Sequence, residues 1–129
     1  MQFTFLEKYQ PQLLAVLRIM TGLLFLEHGA VKLLHFPISM ELPPGGIGIL
    51  LTVAGAMELI GGALITVGVL TRLTAFLLSG EMAVGYFLGH AMQKGFWPVV
   101  NGGEAAILFC FIFLYIAAAG PGAWAVEKR

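Results

Sequence analysis

The chain has 129 residues, of which 59% are hydrophobic and only 11% are charged, whereas soluble domains are about half apolar and about a quarter charged. A soluble core of this size could not bury so much apolar surface, so the composition excludes an ordinary soluble domain and favours a membrane protein. Seven basic and seven acidic side chains cancel, so no basic field indicates nucleic acid as a partner.

Four long apolar stretches predict four transmembrane helices, because a helix needs roughly 20 residues to cross the hydrocarbon core of a bilayer. They cover residues Leu13–Leu34, Gly46–Leu70, Leu73–Met92 and about Gly103–Ala119. The first stretch is too long and too polar at its end for a signal peptide, so we expect it to be retained. The sequence therefore predicts an all-α fold, a single domain formed by a membrane-embedded antiparallel four-helix bundle.

The separators between these stretches are short and contain residues that break helices. Pro37 follows the first helix, Pro43-Pro44-Gly45-Gly46 precedes the second, and only Thr71-Arg72 divides the second from the third. Gly95-Phe96-Trp97-Pro98 predicts the third turn, and Gly120-Pro121-Gly122 ends the fourth helix. Links this short require consecutive helices to run antiparallel.

Basic residues predict the orientation in the membrane, because they are enriched on the cytoplasmic side. Five basic residues would lie on one side, namely Lys8, Arg18, Arg72, Lys128 and Arg129. Only Lys32 and Lys94 would lie on the other side. We therefore expect both termini in the cytoplasm.

Each predicted helix carries one glutamate at membrane depth or at the membrane edge: Glu27, Glu58, Glu81 and Glu104. An ionised group in mid-bilayer costs on the order of 3 kcal/mol, so these carboxyl groups need partners or protons. The candidate partners are His28, His90, Lys32 and Arg18. Counted along the helices, most of these groups fall in the outer half of the membrane. This predicts one shared pocket that opens outward and joins Glu27 and Glu58 to His28 and His90.

Small residues surround Glu58 at a spacing of three and four positions: Ala54, Gly55, Gly61 and Gly62. This spacing favours the close approach of another helix. Gly85 and Gly89 repeat the pattern on the third helix, which predicts a second close contact there.

Most of the polar residues also have a structural interpretation. Glu58 is equally consistent with interhelical hydrogen bonding, and Lys32 with a side chain that extends to the outer headgroups. Asn101 and Glu104 fit a capping box, with Asn101 as the N-cap and Glu104 at position N3. Glu81 has no obvious partner in the sequence, so it either keeps its proton in a hydrogen bond or belongs to a proton path.

The sequence contains no evident ligand set for a cofactor or a metal. Cys110 is the only cysteine, which excludes an internal disulfide, a dithiol motif and a thiolate zinc site. The three histidines are too few and too dispersed to indicate a metal site. No ligand set for haem, an iron–sulfur cluster or flavin is evident.

Motifs that combine glycines with polar or aromatic residues occur along nearly the whole chain. They are Gly80-Glu81-Met82-Ala83-Val84-Gly85-Tyr86-Phe87 with His90, Gly95-Phe96-Trp97-Pro98, Asn101-Gly102-Gly103-Glu104, Glu58-Leu59-Ile60-Gly61-Gly62, Gly68-Val69-Leu70-Thr71-Arg72, His28-Gly29 with Lys32, and Gly120-Pro121-Gly122. Together these motifs resemble those of the DoxX family of small bacterial membrane proteins, and the resemblance covers nearly the whole chain. The resemblance implies a bacterial inner-membrane location and an oxidoreductase partner in quinone-linked sulfur oxidation or oxidative-stress defence.

The first functional hypothesis is a quinone-interacting subunit of a membrane oxidoreductase that receives its electrons from the partner. The expected catalytic residues, which would bind a quinone carbonyl or relay protons, are Glu27, His28, Glu58 and Glu81. The expected ligand-binding residues are His28, Lys32, His90, Trp97, Asn101 and Glu104. One alternative is a scaffold or assembly factor whose polar network only fixes helix packing. Another is a conductor of small solutes or protons, formed by a homo-oligomer in the lipid bilayer.

Overall fold

Four long helices account for most of the structure, a computed structural model that describes residues 3–128. They are α1 (Gln10–Leu33), α2 (Gly46–Val67), α3 (Thr71–Tyr86) and α4 (Glu104–Ala119). The described residues contain no strand, which confirms the predicted all-α fold. Arg129, one of the basic residues counted for the orientation, lies outside the described range.

The helical path of α3 continues beyond Tyr86. A π-helical segment, Phe87–Ala91, leads into one α-helical turn at Met92–Lys94. The chain then reverses at Gly95, whose φ is 95°, and forms a short turn at Pro98–Asn101 before α4 begins. The third apolar stretch is therefore one continuous helical path with a local widening, and such π-segments are frequent at functional sites.

Glycines at positive φ end two of the helices, as the sequence predicted for α4. Gly120 (φ 88°) follows α4, and Gly68 (φ 78°) follows α2. Glycine is favoured at such angles because it lacks a Cβ atom. The prediction that Thr71-Arg72 forms the turn between α2 and α3 is wrong, because the turn occupies residues 68–70 and Thr71 is already the first residue of α3.

The antiparallel helices α1 and α2 touch through their backbones. Gly22 and Gly29 on α1 face Gly62 and Gly55 on α2. A Cβ atom added at Gly62 would lie 2.6 Å from the backbone nitrogen of Leu26 and 2.8 Å from the carbonyl oxygen of Gly22. No side chain larger than hydrogen fits there without displacing the backbone, so the predicted close approach beside Glu58 is confirmed.

The second predicted close contact, at Gly85 and Gly89 on the third helix, is wrong. No atom lies within 4 Å of a Cβ atom added at either position. This side of the helix faces open space, so the spacing of small residues alone did not identify a contact. On α3, Leu78 packs instead against Gly61 of α2.

Aromatic rings join α1 to α4 in the apolar core. The ring of Phe25 lies 4.9 Å from that of Phe113 and 5.4 Å from that of Phe109, measured between centroids. Ile65 and Leu78 bring α2 and α3 into the same core cluster. Between α3 and α4, the hydroxyl of Ser79 donates a hydrogen bond to the carbonyl of Cys110 at 2.7 Å.

The segment that follows α4 folds back over one end of the helices. Arg18, which is fully buried, donates hydrogen bonds from its guanidinium to the carbonyls of Pro121, Ala123 (3.1 Å) and Trp124 (3.2 Å). Glu127 accepts a hydrogen bond from the backbone N–H of Thr71 at 2.9 Å. Hydrogen bonding to Thr71 lowers the pKa of the Glu127 carboxyl, so this contact forms with the ionised acid.

The outer surface of the helices is apolar. Large side chains more than half exposed occur on all four helices, among them Val16, Ile60, Phe76 and Phe111. By length and composition alone, the helical run Glu7–Leu33 and α2 could each cross a membrane, and α4 is apolar but shorter. Soluble monomers rarely expose a continuous apolar surface of this extent.

A matched pair of glycine substitutions tests the contact between α1 and α2. Gly62→Ala should lower the free energy of unfolding by about 1–3 kcal/mol, because the new methyl group meets backbone atoms. Gly85→Ala has open space and removes a flexible helical residue, so it should be neutral or stabilising by up to about 1 kcal/mol. Thermal unfolding in lipid nanodiscs measures both, and equal effects of the two changes would contradict the close backbone contact.

Candidate functional site

A buried ion pair links α1 to α2 beside the glycine contact. The ammonium group of Lys32 lies 2.6 Å from Oε1 and 2.7 Å from Oε2 of Glu58. Glu58 is 1% exposed, and the side chain of Lys32 is 16% exposed. The structure thus pairs two of the predicted site residues and directs Lys32 into the interior instead of toward the outer headgroups.

Glu81 of α3 carries a buried oxygen that receives no hydrogen bond. Its Oε1 atom has no hydrogen-bond partner among residues 3–128, and the one ion pair of those residues joins Lys32 to Glu58. A buried carboxyl oxygen without a partner is costly in an apolar environment. The structure therefore gives Glu81 no partner within the described residues, and its predicted role in proton transfer stays a prediction.

Lys32 also lines an open cleft at the surface of the protein beside α1. The cleft has a volume of about 280 Å³ and is lined by Glu27, His28, Val31, Lys32, Ile38 and Met40. Ile38 and Met40 come from the loop between α1 and α2, which follows the end of α1 and closes one side of the cleft. The cleft thus brings two further predicted residues, Glu27 and His28, together with Lys32.

The imidazole of His28 is positioned by its own helix. Nδ1 lies 2.7 Å from the carbonyl oxygen of Leu24, one turn earlier. A ring nitrogen that faces a carbonyl carries the proton, which leaves Nε2 as the acceptor in the neutral ring. The ring also lies edge-on to Phe109 of α4 at 5.9 Å. His28 is exposed and therefore available to a ligand in the cleft.

A second polar cluster lies at the end of the α3 helical path. The hydroxyl of Tyr86 donates to the carbonyl of Phe96 and accepts from the amide of Asn101 at 3.1 Å. The amide of Asn101 also donates to the carbonyl of Gly95 at 2.8 Å. Nδ1 of His90 lies 3.2 Å from the backbone carbonyl of Asn101. These bonds hold the loop between α3 and α4 on the helix end.

The predicted pocket shared by Glu27, Glu58, His28 and His90 is therefore wrong in two members. Glu58 is 1% exposed and is not among the residues that line the cleft. His90 belongs to the cluster around Asn101, and no hydrogen bond among residues 3–128 joins it to Glu27 or Glu58. Its imidazole stacks on the ring of Tyr86 at 6.3 Å. The π-helical segment that contains His90 shifts the register of the last turns, which sequence spacing could not anticipate.

The capping-box prediction for Asn101 and Glu104 is also wrong. The N-cap of α4 is Gly103, and Glu104 is its first helical residue, with no side-chain bond to the cap. Asn101 ends the preceding short turn, and its side-chain oxygen accepts from the N–H of Gly103 at 2.8 Å. Glu104 and Trp97 are both exposed, and neither lines the cleft of Lys32. Their ligand-binding roles stay predictions.

Two other observations limit the chemistry of the described residues. A larger cleft of about 360 Å³ lies at the start of α2 and is lined by Leu42, Pro43, Gly45, Gly48, Ile49, Thr52 and Val53. The residues that line this cleft have no titratable side chain, so they cannot donate or accept a proton in a reaction. No group of three or more potential metal ligands occurs in residues 3–128.

Three residues of these sites were not predicted from the sequence: Tyr86, Ile38 and Met40. Tyr86 is 6% exposed although it carries a hydroxyl, and a tyrosine within a long apolar stretch was a usable signal for a buried hydrogen bond. Ile38 and Met40 lie in a loop whose path depends on tertiary contacts, and no sequence pattern marks them.

The buried ion pair predicts a strongly non-additive pair of substitutions. Lys32→Met leaves Glu58 without its cation and should destabilise the protein by roughly 3–5 kcal/mol. The double variant Lys32→Met/Glu58→Met replaces both charges by apolar groups and should recover most of that loss. Thermal unfolding in nanodiscs measures the cycle, with Glu104→Gln as a control at an exposed glutamate. Additive effects of the two substitutions would show that the pair contributes little.

Comparison with known proteins identifies the family. The DoxX family model matches residues 13–91. An uncharacterized protein of Haemophilus influenzae is 46% identical over 127 residues, covering 96% of this chain and 95% of the relative. An uncharacterized membrane protein of Mycobacterium tuberculosis is 27% identical over 136 residues, covering 92% of this chain and 82% of the relative. No solved structure matches significantly. The resemblance inferred from the motifs is confirmed, and the chain belongs to the DoxX family of membrane proteins.

Proposed function

We propose that the four helices form a single-domain, membrane-embedded antiparallel four-helix bundle in the bacterial inner membrane. The apolar outer surface supports this arrangement, since Ile60, Phe76 and Phe111 are each more than 60% exposed on three different helices. Lipid tails accept such side chains directly, whereas water does not. The third span then includes the whole helical path from Thr71 to Lys94.

Both termini lie in the cytoplasm in this proposal. Arg18 and Thr71 contact the segment after α4, so the start of α1, the α2–α3 turn and the chain end are at the same end of the bundle. Lys94 follows the opposite end of the α3 path. The end that carries more basic residues faces the cytoplasm in most membrane proteins.

Single cysteines test this orientation in a Cys110→Ser background. Lys94→Cys should react with a membrane-impermeant maleimide in intact spheroplasts, because it would face the outside. Lys128→Cys should react only after the membrane is permeabilised. Labelling of Lys128→Cys in intact spheroplasts would overturn the proposed orientation.

We further propose that the protein is a quinone-interacting subunit of a membrane oxidoreductase system linked to sulfur oxidation or oxidative stress. The observation that carries this proposal is the cleft of Glu27, His28 and Lys32, whose cation is already neutralised by a buried carboxylate. A site with its charge compensated favours a neutral headgroup with hydrogen-bond acceptors. A quinone has such a headgroup and an apolar tail.

The residues that line the cleft fit this chemistry. The ammonium group of Lys32 can donate a hydrogen bond to one quinone carbonyl, and His28 to another once its ring is protonated at Nε2. Val31, Ile38 and Met40 supply the apolar wall against which a ring and the start of an isoprenoid tail would pack. Glu27 can relay a proton to the headgroup as it is reduced. A bound quinone would supply the redox chemistry, and the electrons would come from the partner protein.

Binding of a short-chain quinone tests the proposal directly. Decylubiquinone should raise the unfolding temperature of the protein in nanodiscs, because a ligand that binds only the folded state stabilises it. His28→Ala should weaken binding by roughly tenfold, as expected for the loss of one hydrogen bond. Glu7→Gln, a change at an exposed residue before α1 and outside the cleft, should leave the shift unchanged. Absence of any quinone-dependent shift in the wild-type protein would reject the quinone proposal.

A scaffold or assembly function is the second candidate, and the structural use of other polar groups favours it. Arg18 and Asn101 donate hydrogen bonds to loop carbonyls, as expected where polar groups only stabilise the fold. The two candidates differ at the cleft. A scaffold predicts that His28→Ala leaves both stability and association with an oxidoreductase partner unchanged, because the exposed imidazole bonds only to its own helix.

A further inference from the structure

We infer that the cleft of Glu27, His28 and Lys32 binds the reduced, hydroxyl-bearing form of its ligand, a quinol, more tightly than the oxidised quinone. The inference rests on the proposed quinone site and deepens it by assigning the redox form that the site prefers. The observation that carries it is the balance of hydrogen-bond donors and acceptors that the cleft presents to a ligand.

Two of the residues that line the cleft present acceptors. Glu27 is exposed and belongs to no ion pair among residues 3–128, and an ionised carboxylate accepts hydrogen bonds but donates none. Nδ1 of His28 lies 2.7 Å from the carbonyl oxygen of Leu24, so in the neutral imidazole the proton is on Nδ1 and Nε2 can only accept. A ligand therefore meets acceptors on two consecutive residues of α1.

Lys32 supplies the donor of the cleft, and most of its capacity is already used. An ammonium group has three N–H donors, and Lys32 directs two hydrogen bonds to the oxygens of Glu58, at 2.6 and 2.7 Å. One N–H group remains for a ligand. The other residues that line the cleft, Val31, Ile38 and Met40, have side chains that donate no hydrogen bond.

The two redox forms of the ligand differ in what they offer this cleft. A quinol has two hydroxyl groups, so it can donate one hydrogen bond to Glu27 and one to His28, while one of its oxygens accepts the remaining N–H group of Lys32. A quinone has two carbonyl acceptors and no donor, so it pairs with Lys32 alone until His28 gains a proton. Its second carbonyl would then face acceptors, and polar groups that lose water without gaining a partner weaken binding.

The preference also sets the direction in which the site shifts the redox couple. The form that binds more tightly is the form that the site stabilises, so a quinone held in the cleft becomes easier to reduce. A hydrogen bond to a charged group accounts for roughly tenfold in affinity, and tenfold corresponds to about 30 mV for a two-electron couple. The cleft would therefore favour electron transfer from the partner protein to the bound ligand.

Binding of both redox forms to the protein in nanodiscs tests the inference. Under argon at pH 8, where imidazoles are mainly neutral, decylubiquinol should bind about tenfold more tightly than decylubiquinone. The ligand-dependent rise in unfolding temperature measures both affinities, and empty nanodiscs correct for partition of each ligand into lipid. The dimethyl ether of decylubiquinol has the same ring and tail but no O–H group, so it should bind no more tightly than the quinone.

A substitution at Glu27 separates this inference from the quinone proposal. Glu27→Gln replaces the carboxylate by an amide that also donates, so it should lower the ratio of the two affinities by roughly tenfold, mainly through weaker quinol binding. Glu7→Gln, at an exposed glutamate outside the cleft, should keep the wild-type ratio. Equal affinity for the two forms, tighter binding of the quinone, or an unchanged ratio in Glu27→Gln overturns the preference and leaves the quinone site in place. Binding of neither form to the wild-type protein rejects the quinone site itself, and the preference with it.

Discussion

The backbone contact between α1 and α2 is the constraint on which the site depends. Four glycines remove the side chains that would hold these helices apart, and the Cβ atom of Lys32 then lies over Gly55. From that position the ammonium group reaches Glu58 one turn further along α2. A wider helix separation would leave a buried carboxylate without its cation, which is among the most destabilising arrangements in an apolar interior. The glycines and the ion pair therefore depend on each other.

Three clusters of polar side chains lie along the helices of residues 3–128, and the clusters differ in the groups that their side chains contact. At one end, Arg18 binds the carbonyls of the segment after α4. At the other end, Asn101 and Tyr86 bind the carbonyls of the loop before α4. In both clusters the side chains satisfy backbone groups that have no helical partner. In the cluster of Lys32, the ammonium group faces the carboxylate of Glu58, so two charged side chains from different helices satisfy each other.

The sequence predicted the helices and part of the site, because both depend on local signals. Apolar length and helix-breaking residues located all four helices, and the charges within the apolar stretches identified Glu58 and Lys32. The location of His90 could not be predicted, because one π-helical segment changes which face its side chain occupies. The contacts of Arg18 were not foreseen either, because its partners are backbone carbonyls distant in sequence. Spacing patterns contain no information about such partners.

The contacts of Arg18 also constrain the order in which the protein can assemble. Arg18 belongs to the first helix, and its carbonyl partner at Pro121 lies 103 residues later in the chain. During synthesis the first helix is made long before those carbonyls exist, so its guanidinium must remain hydrated or at the membrane surface in the meantime. Only when the segment after α4 emerges can Arg18 become buried. A nascent chain that stalls before Pro121 would thus display an unsatisfied cation, a feature by which membrane quality control could recognise incomplete copies.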